Sequence, residues 1–332
     1  MASLAYYVMC VTIIAKQTQR NLAFCSERSR TLYDNGKPVE RQGRKATGPS
    51  LPDGSQLPKG VLWMMRKWIP LVVAITFLFS WGSDSKVVGA EDSRWLDTDN
   101  LDKGAIRIDY DVKPNIKTKL LIVKGQSKYN YNLTPGKSGE SFALQLGNGE
   151  YTISLLEQIN GSKYREINKD TLQLDLADEN QVYLNSIQNV DWDIDSLAVK
   201  KAKELTKNAT TDYEKVKAIY QYMISNIKYD NKLAFSAASS YLPEIDRTLS
   251  AKKDICYGFS SLYAAMLRSE GIPAKLVMGK SDYVSTYHAW NEVFVDNKWV
   301  IIDTTVDAGW KGTTTKFTMI KDATKYQVDK FY

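Results

Sequence analysis

Residues 253–271 read KDICYGFSSLYAAMLRSEG. Apolar side chains recur at Phe259, Leu262, Tyr263, Met266 and Leu267, the i, i+3, i+4, i+7, i+8 spacing of a helix that buries one face. Glu270-Gly271-Ile272-Pro273 ends it, because glycine accepts the left-handed cap and proline cannot continue the ladder. Cys256 therefore stands where the helix opens. Unpaired backbone N–H groups and the helix dipole at such a position favour a thiolate over a thiol.

Working outward, Thr211-x-x-Glu214 is a capping box, followed by Val216, Ile219, Tyr220, Met223 and Ile227 at helical spacing. A connection containing Ser, Ala and Pro runs from Tyr229 to Leu249. After the Cys256 helix, strands are predicted over 274–279, 287–295 and 298–303, the last two joined by the tight turn Asp296-Asn297. An antiparallel sheet packed on the helix is expected. Further upstream, alternating and β-rich segments at 105–110, 119–123, 141–146, 151–156 and 171–176 are separated by turn signals such as Thr134-Pro135-Gly136. These short strands predict a small all-β sandwich, read as a scaffold or recognition module.

Composition narrows the chemistry. The chain has 332 residues, 44 Lys+Arg, 38 Asp+Glu, three Cys and one His. That length suits two ordinary domains. Three cysteines cannot form a disulfide framework, and a single histidine excludes multi-histidine zinc sites. Residues 1–90 hold 12 of the basic and 5 of the acidic residues, so 91–332 balance 32 against 33. No nucleic-acid partner is expected from so even a balance.

The basic excess belongs to a leader. Met64-Met65-Arg66-Lys67 precedes an apolar run, WIPLVVAITFLFSW, over residues 68–81, and Val88-Gly89-Ala90 places small residues for cleavage. Residues 64–90 are read as a secretory signal peptide, cut after Ala90 and too short in its apolar part to span a bilayer. Membrane contact is expected only through this leader before cleavage, and the product is secreted. Translation is expected to begin at Met64 or Met65, with the codons of Lys59-Gly60-Val61 serving as a bacterial ribosome-binding site. Residues 1–63 are then a non-native extension. Cleavage removes Cys10 and Cys25 and leaves Cys256 alone.

Acyl transfer by a thiol needs a nucleophile, a base beside it and a group that holds the base in one tautomer. The chain supplies one imidazole, His288, on a strand able to lie beside the opening of the Cys256 helix. Asp303 ends the next strand of the same hairpin. Pairing about Asp296-Asn297 sets position i opposite roughly 593 − i, so His288 faces about residue 305 and Asp303 is a same-face diagonal neighbour at roughly 7 Å.

Five motifs then agree in order and spacing. They are Asn226-Ile227-Lys228-Tyr229-Asp230, Asp254-Ile255-Cys256-Tyr257-Gly258-Phe259-Ser260-Ser261-Leu262, the segment from Gly271 to Gly279, His288-Ala289-Trp290-Asn291-Glu292-Val293, and Trp299-Val300-Ile301-Ile302-Asp303-Thr304-Thr305. Over about 210–310 the chain resembles the core of the transglutaminase-like superfamily, which commonly carries Asp-Pro-Thr where this chain has Asp303-Thr304-Thr305. The resemblance implies an α+β, papain-like fold and a triad of Cys256, His288 and Asp303. The expected organisation is a β-sandwich domain over 91–192 and a transglutaminase-like catalytic domain over 193–332.

Around that triad, the backbone N–H of Cys256 is a natural oxyanion donor and Tyr229 a candidate second one. Trp290 lies two residues from His288 on the same face, as a shield against water or as sheet core. Tyr257, Tyr283 and Tyr287 are candidates for lining an acyl-donor groove. The function expected is thiol-dependent acyl transfer or amidohydrolysis on a glutamine carboxamide or peptide bond, without metal or organic cofactor. A cysteine peptidase acting on surface protein or cell-wall peptide is the alternative, and a non-catalytic surface-binding module that keeps the fold is the other. The partner expected is a protein or peptide, cell-wall peptides included.

Overall fold

In a computed structural model of the chain, residues 95–332 are described, together with a two-residue strand pair, Tyr33–Asp34 with Lys37–Pro38. Apart from that strand pair, the extension read over 1–63 lies outside the described residues, as do the leader read over 64–90 and Cys10 and Cys25. Residues 95–332 combine helices with antiparallel sheets, as the α+β reading requires.

The first half is mainly β, with short 3-10 helices at Leu101–Lys103 and Glu179–Leu184. Strands β1 (Leu96–Asp97), β2 (Ala105–Ile108), β3 (Thr118–Lys124), β4 (Ser127–Asn132), β5 (Glu140–Ala143), β6 (Gly149–Asn160) and β7 (Lys163–Leu174) form two antiparallel sheets. Their orders are β1-β2-β5 and β4-β3-β6-β7. Buried residues from both sheets join one cluster, with the Tyr131 ring 4.8 Å from that of Phe142. β1, β4 and β7 differ from expectation, β1 because a two-residue strand carries no alternation to read. β4, reading SKYNYN, was hidden because only Tyr129 and Tyr131 face inward and the rest is polar. β7 begins eight residues earlier than the segment predicted from 171, since an edge strand carries outward charges such as Arg165 and Lys169 that mask its alternation.

The second half opens with α1 (Leu197–Thr206) and α2 (Asp212–Asn226). The α2 start is the expected capping box: Thr211 Oγ1 accepts from the Glu214 N–H while the Glu214 carboxylate accepts from the Thr211 N–H. The connection after it is less irregular than its composition suggests. It holds β8 (Lys228–Tyr229), α3 (Asn231–Ser236), α4 (Ile245–Ala251) and β9 (Lys253–Asp254), with β8 and β9 paired in parallel. Next come α5 (Cys256–Ser269), β10 (Ala274–Ser281), β11 (Val284–Val295), β12 (Lys298–Ile302), α6 (Thr304–Trp310) and β13 (Tyr326–Phe331).

These strands form a sheet of order β12-β11-β10-β13 with α5 packed on it. Phe259, Leu262, Tyr263, Met266 and Leu267 are all fully buried, and each contributes about 1.5–3 kcal/mol of hydrophobic stabilisation. The β11–β12 turn places Asp296 and Asn297 at φ 52° and 59°, the pair of positive values a two-residue hairpin needs. Paired positions such as Asn291 with Ile302 and Val293 with Val300 sum to 593, the expected register.

The core does not stop between β7 and α1, where strands give way to helices. One cluster of buried side chains runs from Leu96 to Tyr332. Polar ties reinforce it: Arg268, wholly buried on α5, donates to the carbonyls of Asn185, Ala274 and Tyr332. Burial lowers its guanidinium to about 9. Among the described residues no helix is long and apolar enough to cross a membrane.

Candidate active site

Cys256 is the first residue of α5, half-buried, and the preceding Ile255 offers no side chain to cap the helix. The open N–H groups are thus left facing whatever charge the sulfur develops. What aims the sulfur is the residue two places earlier. Asp254 is completely buried and accepts hydrogen bonds from Tyr241 Oη (2.7 Å), Arg247 Nη2 (2.9 Å), Thr248 Oγ1 (2.6 Å) and the Ile255 N–H (2.8 Å). A carboxylate filled by four donors fixes the chain entering the helix. Gly258 completes the fit, since a Cβ there would collide with the Asp254 carboxyl.

His288 reaches this end of the helix from β11. Asn291, buried three residues further along the strand, donates through Nδ2 to the Ser260 carbonyl of α5 (2.9 Å) and the Lys275 carbonyl of β10 (3.0 Å), which docks β11 on the helix. His288 is 4% exposed, and its Nε2 lies 2.8 Å from Asp303 Oδ2, leaving Nδ1 for the Cys256 sulfur. Burial alone would lower the affinity of the ring for a proton. The hydrogen bonds and charges of Asp303 and Cys256 outweigh it and push the imidazole up to about 10. At neutral pH the ring is therefore an imidazolium.

Asp303 lies where β12 stops and α6 starts, fully buried. Its Oδ1 caps α6 by accepting from the Val306 N–H (3.0 Å), while Oδ2 faces His288. The N-cap role explains the Asp303-Thr304-Thr305 departure. Thr304 occupies the first helical position, where a proline would be favoured but is not required.

Trp290 is fully buried, its ring centroid 6.2 Å from that of His288 at an interplanar angle of 28°, so it covers the imidazole on the interior side. Tyr229, 43% exposed, stands near enough to the sulfur for the charge of Cys256 to reinforce burial in raising its phenol. Tyr257 faces elsewhere. Its hydroxyl is taken by Asn189 Nδ2 (2.7 Å) and its ring meets Tyr241, so it braces the helix start against the β-rich half. Burial pushes its phenol up to about 12 against the Asn189 bond. Tyr283 packs on Trp310 and Tyr326, and Tyr287 is exposed and donates to Asp329.

Two features escaped the sequence reading. Tyr326, the first residue of β13, donates to Asp303 Oδ2 at 3.0 Å and packs on Trp290 at 4.9 Å between ring centroids. β13 is mostly exposed and polar, so no periodicity marks it. It can approach β10 because Gly279 has no side chain, where a Cβ would collide with the Gln327 carbonyl. The second is a buried group behind Asp303. Lys321 Nζ bonds Asp307 Oδ1 at 2.5 Å, and Tyr220 donates to Asp307 Oδ2 at 2.7 Å. Burial raises the Asp307 carboxyl despite both partners.

A thiol at a helix opening, an imidazolium and a buried carboxylate make an arrangement suited to acyl transfer. Residues 199–304 match the family model described as Transglutaminase-like superfamily, so the likeness to that superfamily lies in this core. The mouse and human proteins named Kyphoscoliosis peptidase are each 30% identical over 128 residues, which is 35% of this chain and 19% of theirs. The match thus spans about a fifth of the length of those curated relatives. The periplasmic domain of TgpA from Pseudomonas aeruginosa is similar at 13% identity, over 64% of this chain and 93% of that one, with a TM-score of 0.32.

Proposed function

We propose that the protein is a thiol acyltransferase or amidohydrolase acting on glutamine carboxamides or peptide bonds. The observation that carries this reading is His288, bonded to Asp303 at 2.8 Å and held as an imidazolium beside Cys256. Cys256 attacks the carbonyl carbon, the C–N bond breaks, and the proton of the imidazolium passes to the departing nitrogen. Asp303 keeps the ring in the tautomer and angle this requires. The thioester is then resolved by water or by an amine, whose proton returns to the ring. The Cys256 N–H is one oxyanion donor and Tyr229 the other.

The names of the mouse and human relatives favour water as the acceptor and a peptide bond as the substrate. Secretion after cleavage at Ala90 is the proposed setting, surface proteins and cell-wall peptides are the proposed substrates, and the sheets over 95–174 are the proposed sandwich that presents them. The test is to trap the acyl-enzyme with candidate peptides and identify the bound fragment by mass. Incorporation of a labelled primary amine would indicate transfer, and new termini without label would indicate hydrolysis. Cys256→Ala should abolish both, and unchanged turnover in that variant would refute the reading.

A further inference from the structure

Beside the triad the surface opens into a groove of about 610 Å³ where β8 and β9 pair, a size that accommodates several side chains. Its lining includes Lys228 and Tyr229 of β8, Asp230, Lys232 of α3, and Lys252 and Lys253 at the α4–β9 junction. The groove adjoins the thiol. β9 leads through Ile255 into Cys256, Tyr229 is paired in register with Asp254, and the Tyr229 phenol feels the charge of the sulfur.

The sign of the groove is uniform. Its single acid, Asp230, is already committed: Oδ2 lies 3.0 Å from Lys253 Nζ, and Oδ1 accepts from the N–H groups of Lys232 and Leu233. Lys228, Lys232 and Lys252 are exposed, and among the described residues none of the three forms an ion pair with an acid. Over 91–332 basic and acidic residues balance 32 to 33, so this concentration is local. Three like charges held together by separate elements repel one another and gain only from an anionic occupant. One aromatic ring gives a strand of nucleobases little to stack on, and a site that acts on peptide carbonyls meets its anions as peptide carboxylates. Carboxylates on a peptide are the matching chemistry.

We propose that this groove docks the acyl donor by acidic residues that flank the reacting carbonyl, so that the substrate is an acidic peptide or an acidic segment of a protein. This deepens the acyl-transfer reading and rests on it for the word donor, but binding is measurable without turnover. The experiment uses the full chain carrying Cys256→Ala and fluorescence anisotropy with a labelled 12-residue peptide of one Gln flanked by Glu. Matched peptides with Ser or Lys in place of Glu serve as comparisons.

The acidic peptide should bind at least about tenfold more tightly than the Ser peptide, and the Lys peptide least. Lys228→Glu with Lys252→Glu should remove that advantage, Lys228→Gln with Lys252→Gln should halve it in free-energy terms, and added salt should weaken it. Both positions are exposed, so an unchanged thermal transition will show that the variants fold. Equal affinity for the three peptides, or an acidic-peptide affinity that ignores charge reversal, overturns the proposal. So does a single-stranded oligonucleotide that binds the groove more tightly than the acidic peptide. If the acidic peptide binds as expected but the wild-type chain neither labels nor cleaves it, the groove stands and the acyl-transfer reading falls.

Discussion

Asp303→Asn separates the charge of the carboxylate from its shape. Asparagine caps a helix as well as aspartate, so its side-chain oxygen can keep the 3.0 Å bond to the Val306 N–H and α6 should remain in place. The amide nitrogen then meets His288 Nε2, where the carboxylate oxygen stood at 2.8 Å. A hydrogen bond to a charged group contributes about 1.5–3 kcal/mol, which at 1.36 kcal/mol per pH unit is about one to two units. The imidazole, held at about 10 in the native site, should therefore lose its proton one to two units lower, and burial is no longer opposed by Asp303.

The amide also donates to Nε2, which forces the proton of the neutral ring onto the nitrogen that faces the sulfur. The assay is the rate of iodoacetamide alkylation of the Cys256 peptide, followed by mass from pH 5 to 11. In the native protein the rate should step near pH 10, where the ring deprotonates. In the variant that step should move to about pH 8–9. Identical profiles for the two proteins, or a native Cys256 that resists alkylation until unfolded, would refute the reasoning.

Gly258→Ala forces a methyl group onto the Asp254 carboxyl and should cost about 1–3 kcal/mol in urea unfolding, with a larger loss of Cys256 alkylation than of stability. Asp307→Ala leaves the buried Lys321 ammonium without its partner, so stability should drop by about 3–5 kcal/mol and the thermal transition by about 6–20 °C in calorimetry. The folded pKa of His288 lies above its unfolded value. Its stabilisation is therefore complete below about pH 6.5 and is lost as pH rises towards about 10, a slope that urea titrations should find in the native protein and not in His288→Gln.

Much of the site was legible because its parts obey local rules. Helix α5 announces itself by the 3.6-residue spacing of Phe259, Leu262, Tyr263, Met266 and Leu267, and its opening residue is then Cys256 by count alone. The hairpin register followed from one tight turn, and it carried Asp303 to His288 across the last pair, Asn291 with Ile302. The direction of Tyr257 was not legible, because adjacency to Cys256 says nothing about it. At a helix start, successive side chains diverge by about 100°, and this one turns to Asn189. Tyr326 was invisible for a different reason. Its strand follows the superfamily core, pairs only at a sheet edge and leaves four of six side chains in water, so neither hydrophobic alternation nor motif order points to it. Asp254 could have been noticed, since an acid two residues before a buried helix opening needs donors, but its donors Tyr241, Arg247 and Thr248 come from the connection between α2 and α5, whose sequence carries no clear periodicity.

The bond from Tyr326 to Asp303 hands part of the reactivity of the core to a strand that the core does not contain. Polypeptides sharing every residue of the triad, but ending in a different tail, would present the same three side chains with an altered proton affinity. Grafting one such strand onto another core would then shift the pH at which the proposed acyl transfer works.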